Sequence, residues 1–198
     1  MIKFLDLDQS EPFTKFSSYF NKALDKDQRS IEAMALSTVS SDGRPNSRYV
    51  NCKYILKDEF IFFSNYDGQK GEDIKNNSSV NILFYWNNIN MQIRIKGNAS
   101  HSDNIFSNEH FNSRSKEKNA LAISSRQSKK IKSFEEDVRN YNKCLSAFDV
   151  NKSRPDYWGG FSVKPYYFEF WKGHENRLNH REVFKKEDNG WNTFLLQP

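Results

Sequence analysis

The first thirty residues have a helical hydrophobic pattern. Phe13, Phe16, Phe20 and Leu24 recur at helical spacing, and the preceding Glu11-Pro12 pair is typical of a helix start. A helical N-terminal segment within residues 1–30 is therefore predicted.

From residue 33 onward the pattern changes to that of strands. Ser41-Asp42-Gly43-Arg44 is a hairpin signal between the first two strand-like runs. A short helix is predicted at 68–76, where the strand pattern is interrupted. At least five strands are predicted, in apolar or alternating runs at 33–39, 46–56, 59–64, 80–86 and around 91–95.

Residues 104–147 have a pattern typical of helices, and residues 160–196 again have a pattern typical of strands. No repeat or low-complexity linker divides the chain. We therefore expect a single domain over residues 1–198, of the mainly β class. The economical fold is a closed or nearly closed antiparallel Greek-key barrel with peripheral helices.

Composition narrows the classes of function. The 198 residues carry a formal charge of +5, which would suit a polyanion, but the basic residues are scattered and no aromatic-basic motif indicates nucleic-acid binding. Cys52 and Cys144 cannot form a disulfide framework and lack metal-ligand spacing. No apolar stretch approaches the ~20 residues that span a membrane. We expect a cytoplasmic protein with no metal, nucleic-acid or membrane partner.

Signatures of nucleophilic, metal-dependent and Walker-type phosphate chemistry do not occur in the sequence. An enzyme of this composition would depend on a bound organic cofactor. The segment Asp67-Gly68-Gln69-Lys70-Gly71, at a strand-to-helix junction, favours an anion site. A solvated helix start is the alternative. Arg48 and Lys53 add positive charge, although their spacing puts them on opposite faces unless a bulge intervenes.

Two further clusters carry charge. His110, Arg114 and Lys118 recur every four residues and would form one helical ridge, suited to a phosphate or carboxylate, or simply an exposed basic face. If His110 acts as a cation, the affinity for an anionic substrate that carries such a phosphate or carboxylate should fall as pH rises through neutrality. Trp171, Arg177 and Arg181 suit a flat anionic cofactor, or a core tryptophan with two surface arginines.

Several motifs in order resemble the pyridoxamine 5'-phosphate oxidase family over about Glu11 to Pro198. The resemblance implies a split β-barrel and a homodimer with FMN at the subunit interface, residues 160–198 supplying dimerisation and flavin-site strands. The motifs are Arg48 to Lys53, Gln69-Lys70, Ser125-Arg126-Gln127-Ser128, Trp158-Gly159-Gly160-Phe161, and Glu169-Phe170-Trp171 through Arg177-Leu178 to Arg181.

The resemblance also implies functional positions. The FMN-binding positions are Arg48, Lys53, Phe63, Ser64, Gln69, Lys70, Gln92, Gln127, Ser128, Trp171 and Arg181. The substrate positions are Lys53, His110, Arg114, Lys118, Arg177 and Asn179, the last two being the catalytic candidates. The implied reaction is hydride transfer from a small anionic substrate to the flavin, followed by reoxidation with dioxygen and release of hydrogen peroxide.

Four positions depart from the vitamin B6 enzymes of the family. Gln69 stands where Arg is typical, His110 replaces Tyr, Lys118 replaces Ser, and Asn179 replaces the His of an Arg-Leu-His triplet. Pyridoxamine or pyridoxine 5'-phosphate is the expected substrate. The alternatives are a phenazine-biosynthesis type of FMN oxidase that acts on a carboxylated polycycle, and a non-catalytic flavin- or haem-binding split-barrel protein.

Overall fold

A computed structural model describes residues 1–149 and 153–198. Its helices and strands are β1 (Lys3–Leu5), α1 (Glu11–Leu24), β2 (Ala33–Val39), β3 (Pro45–Leu56), β4 (Glu59–Asn65), α2 (Gln69–Asn76), β5 (Ser79–Trp86), a short 3₁₀ turn (Asn87–Ile89), β6 (Met91–His101), α3 (Asn104–Asn112), α4 (Lys116–Ser124), α5 (Phe134–Ser146), β7 (Trp158–Lys172), β8 (His180–Glu187) and β9 (Gly190–Leu196).

Six strands close into an antiparallel barrel. β2 pairs with β3 and β5, β6 joins β5 to β7, and β4 completes the ring between β7 and β3. The predicted mainly β fold with a closed barrel is thus confirmed, as are the five strands between residues 33 and 101. The hairpin between β2 and β3 turns at Gly43, whose φ of 81° lies in a region that glycine adopts with little conformational strain.

Three strands extend the barrel. β1, which the hydrophobic pattern did not predict, lies parallel to the end of β3. β7 is long enough to pair with β4 through its first half and with β8 through its second half. β9 then adds to β8, so a sheet of β7, β8 and β9 projects beyond the closed ring.

α1 covers the core with its phenylalanine face. The ring of Phe16 is fully buried and lies 5.1 Å from that of Phe60 and 5.2 Å from that of Phe84. Such edge-to-face contacts stabilise a packed core beyond the area they bury. The helical spacing of Phe13, Phe16 and Phe20 therefore marks the face that packs on the barrel, whereas Leu24 at the end of the helix is 38% exposed.

α2 follows β4 through a tight junction. A Cβ on Gly71 would come within 1.8 Å of the carbonyl oxygen of Tyr66, so only glycine allows the helix to start so close to the strand end. This approach sets Lys70 beside β4. None of the described helices, over residues 1–149 and 153–198, is both long and apolar enough to cross a membrane.

Candidate active site

A cavity of about 440 Å³ opens between the barrel wall and the helices that follow it. Strands β3 and β4, the start of α2, the α3–α4 region and the loop after α4 all contribute to it. Its lining includes nine of the positions that the sequence pointed to, and they come from five separate segments: Arg48, Lys53, Phe63, Ser64, Lys70, His110, Arg114, Lys118 and Gln127.

A bulge in β3 brings Arg48 and Lys53 to the same cavity. The pairing of β3 with β4 shifts register between Cys52 and Tyr54. An extra residue at this point rotates the following side chains relative to the preceding ones. Both cations therefore line the cavity although strict alternation would separate them.

A buried carboxylate holds Arg48 in place. Asp73 of α2 accepts hydrogen bonds from Thr38 (2.5 Å), Gln69 (2.9 Å) and Asn46 (3.1 Å), and its Oδ2 lies 3.6 Å from Nη2 of Arg48. Burial alone would raise the pKa of Asp73, but these donors and the guanidinium outweigh it and lower that pKa. Gln69 therefore has its side-chain amide engaged with Asp73.

Lys70 is a buried cation with only neutral partners. Its Nζ donates to Oε1 of Gln127 at 2.6 Å and to Oγ of Ser64 at 3.1 Å. Burial, and then the charge of Arg48, lower the pKa of Lys70 to about 8. An anion in the cavity would stabilise the charged form, so the arrangement favours anion binding. The backbone N–H of Gln69 donates to Oγ of Ser128 at 3.3 Å, at the margin of the same region.

The predicted single ridge of His110, Arg114 and Lys118 is wrong. His110 lies in α3, which ends at Asn112, and Lys118 lies in α4, which begins at Lys116. Ser113 helps to end α3, because its hydroxyl donates to the carbonyl oxygen of His110 at 2.8 Å. The three side chains nevertheless line one cavity, since the break between the helices turns them toward it.

Arg114 has a donor without a partner. Its guanidinium lies 4.3 Å from the ring centre of Trp158, and Nη2 donates to the carbonyl oxygen of Lys118 at 2.8 Å. Nη1 is buried and has no hydrogen-bond partner within the described residues. Burial lowers the pKa of Arg114 to about 10. A buried guanidinium with an unused N–H is a ready partner for a phosphate or carboxylate oxygen.

His110 lies in an environment that opposes its charge. Burial, and then the nearby cations Arg114, Lys53, Lys3 and Lys118, lower the pKa of His110 to about 4. The imidazole is therefore neutral at pH 7. We therefore expect His110 to act as a neutral hydrogen-bonding group and not as the cation that the sequence suggested.

The remaining predicted residues form a second group away from this cavity. Gln92, Trp171 and Arg181 are paired across β6, β7 and β8 and so project from the same face of the sheet. Arg177 and Asn179 belong to the exposed loop before β8, where Oδ1 of Asn179 accepts from the N–H of His174 at 3.1 Å. None of these five residues lines the cavity of about 440 Å³.

A second buried carboxylate, Glu169, organises this group. It forms an ion pair with Arg94 and another with Arg181, whose Nη2 lies 2.8 Å from Oε1 of Glu169. Burial would raise the pKa of Glu169, but the hydrogen bonds from Arg181 and Tyr167 and the two guanidinium charges lower it. Glu169 therefore fixes the position of Arg181.

Sequence reasoning assigned no site role to the carboxylates Asp73 and Glu169 or to the aromatic residues Tyr54 and Trp158. Trp158 and Glu169 stood inside the family motifs, whereas Asp73 and Tyr54 were an acidic and an aromatic residue in an otherwise ordinary helix and strand. A larger cavity of about 670 Å³ lies beside α2 near Tyr66 and His101, and it contains none of the predicted site residues.

The fold and the cavity define a class: a split-barrel protein with a cationic, aromatic-walled site suited to a phosphorylated or carboxylated ligand. A family model described as pyridoxamine 5'-phosphate oxidase matches residues 20–140, which is more than half of the chain. The chain therefore belongs to the pyridoxamine 5'-phosphate oxidase family. A second family model, described as pyridoxine 5'-phosphate oxidase C-terminal dimerisation region, matches residues 158–198.

Curated relatives support the same assignment along almost the whole chain. A pyridoxine/pyridoxamine 5'-phosphate oxidase of Hydrogenovibrio crunogenus is 38% identical over 193 residues, covering 96% of this chain and 89% of the relative. One of Leptospira interrogans is 35% identical over 191 residues, with the same coverage of 96% and 89%. The predicted membership of a flavin-oxidase family of oxidoreductases is confirmed.

Solved structures agree with the fold. PhzG from Burkholderia lata, crystallised with tetrahydrophenazine-1-carboxylic acid, superposes with a TM-score of 0.90 at 28% identity, covering 96% of this chain and 93% of that one. An FMN-binding protein of Nostoc punctiforme related to pyridoxamine 5'-phosphate oxidase superposes with a TM-score of 0.75 at 17% identity, covering 92% and 97%. The second likeness concerns the fold alone.

Proposed function

We propose that this protein is an FMN-dependent oxidase that converts pyridoxamine or pyridoxine 5'-phosphate to pyridoxal 5'-phosphate, with dioxygen reduced to hydrogen peroxide. The observation that carries the proposal is the concentration of Arg48, Lys53, Lys70, Arg114 and Lys118 around one aromatic-walled cavity. The relatives that share 35–38% identity with this chain carry the name of this activity.

The cavity residues fit two anions. Arg48 and Lys70, with Ser64 and Gln127 beside them, would hold the FMN phosphate, and Lys70 is a buried donor whose charge an anion would stabilise. Lys53, Arg114, Lys118 and His110 would hold the substrate phosphate, for which Nη1 of Arg114 is an unused buried donor. When bound, the flavin supplies the hydride acceptor and returns the electrons to dioxygen.

The second group of residues would reach the site from another copy of the chain. Gln92, Trp171 and Arg181 share a face of the sheet formed by β6, β7 and β8, and residues 158–198 match a family dimerisation region. In a symmetric dimer each copy would supply these residues to its partner's cavity. Trp171 and Arg181 would contact the flavin, while Arg177 and Asn179 would orient the reacting carbon of the substrate.

The proposal is tested by mixing the FMN-loaded protein with pyridoxamine 5'-phosphate under anaerobic conditions and following the flavin absorbance. Bleaching of the flavin is expected, and admission of oxygen should restore the colour and release hydrogen peroxide. Unphosphorylated pyridoxamine is the matched control and should bleach far more slowly, because the cationic wall then has no phosphate to hold.

A second candidate is a phenazine-type oxidase, favoured by the structural similarity to PhzG with its bound tetrahydrophenazine-1-carboxylic acid. The carboxylate of such a substrate could use the same cations. The same anaerobic experiment separates the two functions. Bleaching by a carboxylated polycycle and not by pyridoxamine 5'-phosphate would overturn the vitamin B6 assignment, and bleaching by neither would leave a binding role.

A further inference from the structure

Tyr54 makes a polar contact with a proposed substrate residue. It follows Lys53 at the β3 bulge, and its hydroxyl oxygen lies 3.0 Å from Nδ1 of His110. Its ring packs edge-on against Phe106 at 5.0 Å and against His110 at 5.4 Å. Tyr54 is therefore held firmly against one nitrogen of the imidazole.

The imidazole of His110 is itself held in one plane. It stacks on the ring of Phe63 with 3.6 Å between centroids and 17° between planes, and it is nearly parallel to Trp158. Nδ1 faces Tyr54, while Nε2 has no hydrogen-bond partner within the part of the chain that the structure describes. The ring lines the cavity, so its second nitrogen is free to serve a ligand.

Burial and the surrounding charges disfavour the protonated form of His110. Burial has the largest effect, and Arg114 and Lys118 from the α3–α4 region, Lys53 from β3 and Lys3 from β1 add to it. A neutral imidazole carries one proton, on either Nδ1 or Nε2. The Ser113 side chain also contacts the Tyr54 hydroxyl, but it uses its own hydroxyl hydrogen on the carbonyl oxygen of His110, so the hydroxyl that lies against Nδ1 and can donate to it is that of Tyr54.

We propose that Tyr54 donates its hydroxyl proton to Nδ1 of His110 and thereby holds His110 as a neutral imidazole whose Nε2–H is a hydrogen-bond donor for the substrate phosphate. This inference rests on the proposed function, because it assigns that phosphate to the cavity. Tyr54 is then a positioning residue. A neutral donor adds a hydrogen bond to the anion without adding repulsion among Lys53, Arg114 and Lys118.

The tautomer is tested first, by NMR of the histidine ring nitrogens in the FMN-loaded protein labelled with ¹⁵N-histidine. His110→Gln identifies the signals among the four histidines. Between about pH 6 and about pH 8, Nδ1 of His110 should be unprotonated and Nε2 should carry the proton. Tyr54→Phe should mix the two tautomers. A wild-type spectrum with the proton on Nδ1, or with both nitrogens protonated, would overturn the inference.

Inorganic phosphate then tests the ligand. Its addition should shift the Nε2 resonance of His110 and leave that of His101, which lies beside Tyr66 in the separate cavity, in place. These two readouts need no turnover. A protein that fails to oxidise pyridoxamine 5'-phosphate but has the expected tautomer and phosphate response would refute the proposed reaction and retain the role of Tyr54. Absence of a phosphate response at His110 would refute the donor role.

Kinetics supply the independent check. Tyr54→Phe keeps the ring packing and should raise KM for pyridoxamine 5'-phosphate about tenfold with little change in kcat, the loss expected for one hydrogen bond to a charged group. In a His110→Tyr background the phenol is its own donor, so Tyr54→Phe should have no further effect. Equal increases of KM in both backgrounds would show that Tyr54 does not act through His110.

Discussion

At the scale of single residues, two cations of the site, Lys70 and Arg114, have buried charged groups before any ligand binds. Lys70 contacts only the neutral groups of Ser64 and Gln127, and Arg114 retains an unused N–H. Burial of this kind is unfavourable in the free protein and is relieved by an anion. Burial lowers the pKa values of Lys70 and Arg114 for the same reason, because it disfavours their charged forms.

This predicts a pH dependence of FMN binding. The charged form of Lys70 binds the phosphate, and its pKa in the free protein is about 8. Above that pH, binding must include proton uptake, so the dissociation constant should rise by up to about tenfold per pH unit. Fluorescence titration with FMN from below to above this pKa measures it.

The matched variants are Lys70→Met and Lys75→Met, both in α2. Lys70→Met should weaken binding at neutral pH by about tenfold or more, for a lost charge-assisted contact, and should flatten the profile. Lys75 is exposed, and its replacement should leave the profile as in the wild type. A wild-type dissociation constant that stays constant across this range would disprove the role given to Lys70.

A second prediction at this scale concerns Asp73, the acceptor for Thr38, Asn46 and Gln69. Asp73→Asn replaces one carboxylate oxygen by an N–H donor that faces other donors. It should weaken FMN binding, because Arg48 loses its anchor, and should lower the free energy of unfolding by about 1–3 kcal/mol. Asp188→Asn, at an exposed position in the turn between β8 and β9, is the surface control. Unchanged FMN affinity in Asp73→Asn would argue against the anchoring of Arg48.

At the scale of elements, α1 is the cover of the barrel core, and its stability contribution comes from its phenylalanine face. Phe16 is 0% exposed, whereas Phe134 at the start of α5 is 76% exposed. Phe16→Ala should lower the free energy of unfolding by about 3–5 kcal/mol, through lost burial and a cavity. Phe134→Ala should change it by less than about 0.5 kcal/mol.

Urea unfolding at one fixed protein concentration compares these two variants, since the stability of a dimer depends on concentration. A loss in Phe134→Ala as large as that in Phe16→Ala would mean that α5 is covered in the assembly. A small loss in Phe16→Ala would mean that α1 is not integral to the core.

At the scale of the whole molecule, the proposed site is divided between two surfaces of one chain. Arg114 belongs to the cavity, and Arg177 belongs to the loop before β8 that does not line it. In the proposed dimer Arg114→Ala and Arg177→Ala would each impair both sites. Mixing the two variants should restore activity, because a heterodimer contains one site with neither substitution.

Random exchange of subunits predicts recovery of about a quarter of the wild-type rate, since about half of the dimers are mixed and each has one intact site of two. Refolding the variants together and assaying peroxide release measures it. Refolding them separately before mixing is the control and should give no recovery if subunits exchange slowly. No recovery after joint refolding would contradict a site shared between subunits.

Local patterns in the sequence determined the element types and the family. Helical spacing identified α1, strand spacing identified the barrel strands, and the motifs around Lys70, Gln127 and Trp171 indicated the oxidase family. These features are readable because hydrophobic periodicity and short motifs depend on neighbours in the chain. The assignment of roles to individual site residues remains a prediction until binding and kinetics are measured.

Only the tertiary structure decided which of these residues meet. The β3 bulge brings Lys53 to the cavity that Arg48 lines, the break between α3 and α4 replaces the expected ridge, and burial together with the nearby cations lowers the pKa of His110. Asp73 and Glu169 acquire their roles through contacts made across strands and helices distant in sequence. The physical reason is that register shifts, burial and charge coupling depend on long-range packing, which a local pattern does not encode.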